Sequence, residues 1–332
     1  MQRNVSNCLN LPPTSPCFRA TVPSQTLVRL PQLDLESKGS AKGKCVSMGR
    51  IGVVQMCSSE DVDSNYQCAT RLCAMAAAQG VELLSFPECF AFMGLKAGAS
   101  ARMAESLNGP LLSRYRDLAV SHKLWLSLGG FHELSTNLSD KRIHNTHLLL
   151  DDTGATRAVY RKLHLYDADA GSSGKYRESE GTAAGPSLGA VALNTPVGPV
   201  GLTTCYDVRF PYVYAALRDV GCKVLLVPSA FMPTTGKAHW EVLLRARAVE
   251  NQCYVAAAAQ VGLHAGEQGG RESYGHAMII DAWGKVLVDA GVDKECIVVA
   301  DVDDFEVERI RERMPVVQHR RDHSAGPVVI FP

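Results

Sequence analysis

The stretch TTCYDVRFP, Thr203 to Pro211, places a cysteine where a short apolar strand, GPVGL, gives way to a new helix. A strand that hands over to a helix through a short turn is the repeating unit of layered α/β folds. The chain on both sides of the stretch continues that alternation. Upstream, VALNT and GPVGLTTC read as one hairpin, and HLLL and RAVYRKLHL flank the turn DDTGA of another. Before them stand LWLSLGGF, a helix that Gly109-Pro110 opens and that runs to about Lys123, and the apolar run Val81 to Phe86. A helix from about Ser64 to Gln79, stopped at Gly80, follows the first convincing strand, Ile51 to Cys57. Downstream come a helix, the strand VLLVPSAF, the helix KAHWEVLLRARAVENQC, the strand YVAAAAQV, a hairpin around DAWGK and a last strand, CIVVADV. Apolar strands that need cover on both faces imply sheets enclosed by helices.

The composition narrows the function classes. In 332 residues, 46% are apolar and 20% charged, with 34 basic and 34 acidic side chains, so the formal net charge is zero. A chain of this length buries a sizeable core. With no net field, nucleic acid and anionic membranes are not expected partners, and a small molecule is. No apolar run approaches the roughly 18 residues that a membrane span needs. The eleven cysteines are odd in number and scattered, with no C-x-x-C pair, which argues for a reducing compartment and against a disulfide framework or a zinc knuckle. His144 and His147 fall on opposite faces of a strand, and His319 and His323 lack a clear third ligand, so no metal is expected. On KAHWEVLLRARAVENQC, Glu241 with Arg245 and Arg247 with Glu250 have the spacing of helical ion pairs, which explains these arginines structurally.

The N-terminus is of another kind. From Met1 to Leu33 there is no Asp, Glu or Lys, but there are Arg3, Arg19 and Arg29, five prolines and several Ser and Thr. That composition matches an organellar transit peptide, for chloroplast or mitochondrion, and SKGSAKGK after it reads as a flexible linker. The expected organisation is thus a transit segment and linker over residues 1–47 and one domain over 48–332. Met48, just ahead of the first strand, offers a second start that would leave a cytoplasmic form with the whole domain.

Three residues at strand ends carry the candidate chemistry: Glu88 in SFPECF, Lys162 in YRKLHLYD and Cys205. Layered α/β folds collect their chemistry at strand ends. A cysteine before a helix sees amide N–H groups and a positive dipole end, which favour the thiolate. A carboxylate could take the thiol proton, and a lysine could hold the oxyanion of an attacked carbonyl. The stretch GPSLG, Gly185 to Gly189, fits a serine-hydrolase elbow by letter, but a polar loop precedes it and a proline-broken strand follows, so it reads as chance.

The set FPE, YRKLHL and CYDVRFP, in this order and at these separations, resembles the Glu-Lys-Cys triad of the nitrilase superfamily, the carbon-nitrogen hydrolases, over about Gly49 to Arg321. LSLGGFHE, VPSAFMPTTGKAHWEVLLRARAVENQCYVAAAAQ, SYGHAMIIDAWG and PVVQHRR are similar to the branch that acts on deaminated glutathione. The resemblance implies a four-layer αββα sandwich, a homodimer or higher homo-oligomer, and no cofactor. It implies catalytic Glu88 as general base, Lys162 as oxyanion donor and Cys205 as nucleophile. Glu133 in GGFHE would orient the lysine, and the backbone N–H of Tyr206 would be the second oxyanion donor. The implied substrate is deaminated glutathione, cleaved to 2-oxoglutarate and cysteinylglycine. The alternatives are an ω-amidase acting on 2-oxoglutaramate, differing only in the leaving-group half of a pocket that Pro228 to Thr235 would line, and a noncatalytic binding protein. AGEQGGRES, Ala265 to Ser273, finds no place in the pattern.

Overall fold

The computed structural model describes residues 49–321 apart from 97, 138, 170–174, 265–270 and 293–294. The transit segment, the linker, Met48 and His323 lie outside the described residues. At the centre is strand Gly49–Met56. It pairs in parallel with Leu83–Phe86 on one edge, while its other edge is shared by the antiparallel strand Cys296–Val302 and, at Gln55 and Met56, by Ala259–Leu263. Trp125–Glu133, His144–Leu150 and Thr156–Arg161 extend this sheet on one side and Glu272–Tyr274 on the other, for eight strands in all. A second sheet of six strands runs Val286–Asp289, Met278–Ile280, Tyr254–Ala257, Val224–Leu226, Val200–Leu202, Ala190–Ala192.

Side chains of a strand alternate between its faces, and the cores follow that rule. Val54, Met56, Leu84, Phe86, Leu126, Leu128, Leu148 and Leu150 pack outward against helices Val62–Ala78 and Pro110–His122. Ile51, Val53, Leu83 and Leu149 face inward and join one continuous core with Val200, Leu202, Val224 and Leu226 of the small sheet. That core runs on to Val213 and Leu217 of helix Pro211–Asp219 and to Trp240 and Leu244 of helix Pro233–Asn251. The layers are helix, sheet, sheet, helix: an αββα sandwich. Among the described residues, no helix is long and apolar enough to cross a membrane.

Three departures from the pattern read in sequence bear on the longer elements. YVAAAAQV is two strands: the chain leaves the small sheet after Ala257 and enters the large one at Ala259. An unbroken alanine run has no period, so nothing in it marks the crossing. The long helix starts at Pro233 rather than Lys237, since proline fits the first helical turn. Helix Asp304–Arg313, which sequence patterning passed over, buries only Val307 and Ile310 and is started by Asp303, whose carboxylate accepts from the N–H groups of Phe305 and Glu306.

Candidate active site

Glu88, Lys162 and Cys205 come from three separate strand ends and meet in one buried cluster. Glu88 follows Leu83–Phe86 and Lys162 follows Thr156–Arg161, while Cys205 opens the five-residue 3-10 helix Cys205–Arg209. All three are buried. Lys162 Nζ lies 2.9 Å from Glu88 Oε1, and the Cys205 thiol donates to the Glu88 carboxylate.

Local structure brings the ends together. Cys205 takes φ 48°, in the left-handed region that few residues other than glycine adopt, and its N–H donates to the carbonyl of Pro228 at 2.9 Å. Asp207 ties this turn to the lysine strand. Its buried carboxylate accepts from Thr204 N at 2.8 Å, Tyr160 Oη at 2.7 Å and His164 Nδ1 at 2.7 Å, and His164 stacks on Phe210 at 3.7 Å between centroids. On the glutamate side, strand Trp125–Glu133 passes underneath. A Cβ on Gly129 would stand 2.0 Å from Pro228 Cβ, and one on Gly130 would stand 3.0 Å from Glu88 Cγ. Gly130 takes φ 134° and sits at a bulge in the pairing with His144–Leu150, the local device that re-aims chains beside active sites.

Glu133, expected beside the lysine, is not among the carboxylates that contact Lys162 Nζ. It is clamped by Arg161 Nε and Nη2 at 2.7 and 2.6 Å and by Thr146 Oγ1 at 2.6 Å. Period-2 alternation decides this: Arg161 and Lys162 are neighbours, so they point to opposite faces, and Glu133 lies on the arginine side. The second carboxylate on Lys162 is Glu178, 3.0 and 2.9 Å from Nζ through its two oxygens. Sequence reading passed Glu178 over, although a buried lysine calls for carboxylates and YRESEG offers two. The chain between the two residues is closed by Glu178 itself, which accepts from Tyr166 N at 2.7 Å. Asn145, also unforeseen, donates to Glu88 Oε1 at 2.8 Å, and Ala230 N donates to Glu88 Oε2 at 3.1 Å.

These contacts set the charge states. Burial works against the Glu88 carboxylate, but Lys162, the Cys205 thiol and Asn145 together hold its pKa below the ordinary value. Burial also opposes the Lys162 charge, and Glu178 and Glu88 outweigh it, so the ammonium is retained. Cys205 departs from expectation: burial and the Glu88 charge push its thiol well above 9.0. A five-residue 3-10 helix has too small a dipole to reverse this. The resting site therefore holds a neutral thiol bonded to a carboxylate base. The Tyr206 N–H is in the first turn of that helix, where N–H groups have no intrahelical acceptor. GPSLG stays apart, with Ser187 exposed in a bend outside any strand-to-helix turn.

The profile of the family described as carbon-nitrogen hydrolase matches residues 50–312. The chain belongs to this family. A deaminated glutathione amidase from Dictyostelium discoideum is 44% identical over 277 residues, covering 82% of this chain and 94% of that protein. The crystal structure of the Caenorhabditis elegans NitFhit protein superposes with a TM-score of 0.73 at 42% identity, over 83% of this chain and 66% of that one. Nit3 of Saccharomyces cerevisiae, a member of branch 10 of the nitrilase superfamily, gives a TM-score of 0.73 at 27% identity over 83% and 97%. This carbon-nitrogen hydrolase keeps Glu88, Lys162 and Cys205 in one cluster inside the matched span.

Proposed function

We propose that the chain is an amidase that hydrolyses deaminated glutathione to 2-oxoglutarate and cysteinylglycine through a Cys205 thioester. The observation that carries the reading is the buried contact of an ionised Glu88 with both the Cys205 thiol and the Lys162 ammonium. The identity with an amidase of that name supports the substrate.

Glu88 takes the thiol proton as Cys205 Sγ bonds to the amide carbonyl carbon. The oxyanion that forms is held by Lys162 and the Tyr206 N–H. The C–N bond then breaks, and Glu88 passes its proton to the departing amine. Water, losing a proton to the same carboxylate, attacks the thioester, and the proton returns to sulfur as the acid leaves. Glu178 has a definite part in this cycle. Once Glu88 is protonated, Lys162 would be a buried cation without a counter-charge, and the Glu178 carboxylate at 2.9 Å keeps it ionised at the moment the oxyanion needs it. Neutral Glu88 holds Lys162 less strongly, which frees an N–H to turn to the oxyanion.

The test is turnover by the protein from Met48 onward with deaminated glutathione and 2-oxoglutaramate side by side. A higher kcat/KM for the former and no turnover by Cys205→Ala are expected. Preference for 2-oxoglutaramate would leave the mechanism and change the substrate; a Cys205→Ala variant retaining a tenth of the rate would overturn the nucleophile. Two further readings belong to the proposal. Subunits pair through the outer helices, where Tyr212, Val242 and Val249 are exposed, and light scattering should give twice the chain mass. Residues 1–47 direct an organellar form, and C-terminally tagged chains starting at Met1 and at Met48 should then localise differently.

A further inference from the structure

Arg271 is a cation near the active site that the reaction as described leaves unused. It stands just before strand Glu272–Tyr274, at the end of the Gly-rich insertion that found no place in the sequence pattern. A guanidinium carries five N–H donors. Among the described residues it makes one hydrogen bond, a long one of 3.4 Å from Nη1 to the carbonyl of Gly94, and it lies 5.7 Å from the centroid of the Tyr176 ring. No carboxylate of the described residues is paired with it. Burial opposes its charge, while Tyr176, Cys89, Glu88 and Glu178 stabilise it. An arginine taken partly out of water ordinarily has an acid against it.

Its position relative to the reacting atoms says which anion fits. Glu88 both removes the thiol proton and protonates the departing amine, so the leaving group lies on the Glu88 side of Cys205. Arg271 lies near Glu88: the Tyr176 ring that it faces packs on Tyr166 at 5.8 Å between centroids, Tyr166 N bonds to Glu178, and the Arg271 charge acts on Glu88, Glu178, Cys89 and His132. Gly94, eight residues past the end of strand Leu83–Phe86, and Tyr176, on the hairpin strand Lys175–Arg177, flank it.

We propose, resting on the amidase reading above, that Arg271 receives the terminal carboxylate of the departing peptide and so distinguishes a peptide-bearing amide from a primary amide. A forked guanidinium suits a planar carboxylate. The leaving group of 2-oxoglutaramate is ammonia, which has no carboxylate to receive. The contending account is that Arg271 only balances the two buried glutamates. In that case both substrates would depend on it alike.

The experiment compares Arg271→Met and Arg271→Lys with the wild type on deaminated glutathione and on 2-oxoglutaramate, after thermal melts establish that the variants fold. For Arg271→Met, kcat/KM on deaminated glutathione should fall about 10- to 100-fold, chiefly through KM, as expected for a lost charged hydrogen bond. Turnover of 2-oxoglutaramate should stay within about twofold, and Arg271→Lys should recover part of the loss. Independently of any variant, deaminated glutathione ending in a carboxamide should be a correspondingly poor wild-type substrate. Equal losses on both substrates, or a carboxamide as good as the acid, would overturn the inference and leave the amidase reading intact. A wild type inactive on both substrates would overturn the amidase reading itself.

Discussion

Lys162 shows how much a single buried charge demands. Its ammonium contacts three carboxylate oxygens, one from Glu88 and two from Glu178, and both partners arrive from distant chain positions. Exchanging glutamates between this site and its neighbour separates chemistry from stability. Glu178→Gln removes the charge that keeps Lys162 ionised after Glu88 is protonated, and kcat should fall at least about 10-fold in a folded protein. Glu133→Gln instead weakens the clamp on Arg161 and Thr146 and should cost about 1–3 kcal/mol of stability, with the smaller effect on kcat. Denaturant melts and single-turnover rates on the same two variants read both quantities. If Glu133→Gln lost the more activity, the lysine would be oriented from the face that sequence reading expected. Which glutamate contacts Lys162 was not legible, because GGFHE carries a conspicuous acid and the partner opens a single helical turn, Glu178–Gly181, in a polar stretch without periodicity.

At the scale of elements, the site depends on strand ends and turns that must approach one another closely. Gly129 and Gly130 let strand Trp125–Glu133 pass beneath Pro228 and Glu88. Gly129→Ala should drive a methyl group into a proline ring that cannot yield, lowering the Tm by about 5 °C or more, since overpacking costs of order 1–3 kcal/mol. Gly181→Ala, where a Cβ meets nothing within 4 Å, is the control and should leave the Tm unchanged. Equal melts for the two variants would mean that Pro228 gives way. The LSLGGF stretch was readable as a strand, because its apolar content is high. Its bulge was not readable, since only the register against His144–Leu150 reveals it.

At the scale of the whole molecule, three imidazoles among the described residues, His132, His147 and His264, are taken largely out of water outside the reacting cluster. Burial is the main cause that pushes His132, His147 and His264 down to about 4. His147 is fixed between Ser127 Oγ at 2.8 Å, in the large sheet, and the carbonyl of Thr203 at 2.8 Å, one residue past the small-sheet strand Val200–Leu202. Unfolded, these groups take up protons below pH 6.5, whereas the native state takes none until about pH 4. Stability is therefore full above 6.5 and is lost as pH falls toward 4. Thermal melts should show a Tm lower by about 5 °C or more at pH 5 than at pH 7.5, a shift of a few kcal/mol in a domain of this size. A flat profile would show that the imidazoles are hydrated. Over the same range Glu88, held below its ordinary value of 4.5, stays ionised, and the Cys205 thiol stays protonated up to 9.0. Initial rates taken before unfolding should accordingly be level from about pH 5 to 9, a bell centred near neutrality being the contrary result.

Much of this molecule was written locally in its chain. The alternation of apolar strands and amphipathic helices, the turns between them, and the placing of Glu88, Lys162 and Cys205 at strand ends follow from side-chain periodicity and turn chemistry, which act over a few residues. Other features exist only once distant segments are in contact. The sheet change at Ala258, the contact of Glu178 rather than Glu133 with the lysine, the neutral state of the Cys205 thiol and the approach of Arg271 to the site are of this kind. Register, burial and electrostatic partnership are properties of contacts between segments, so tertiary structure alone decided them.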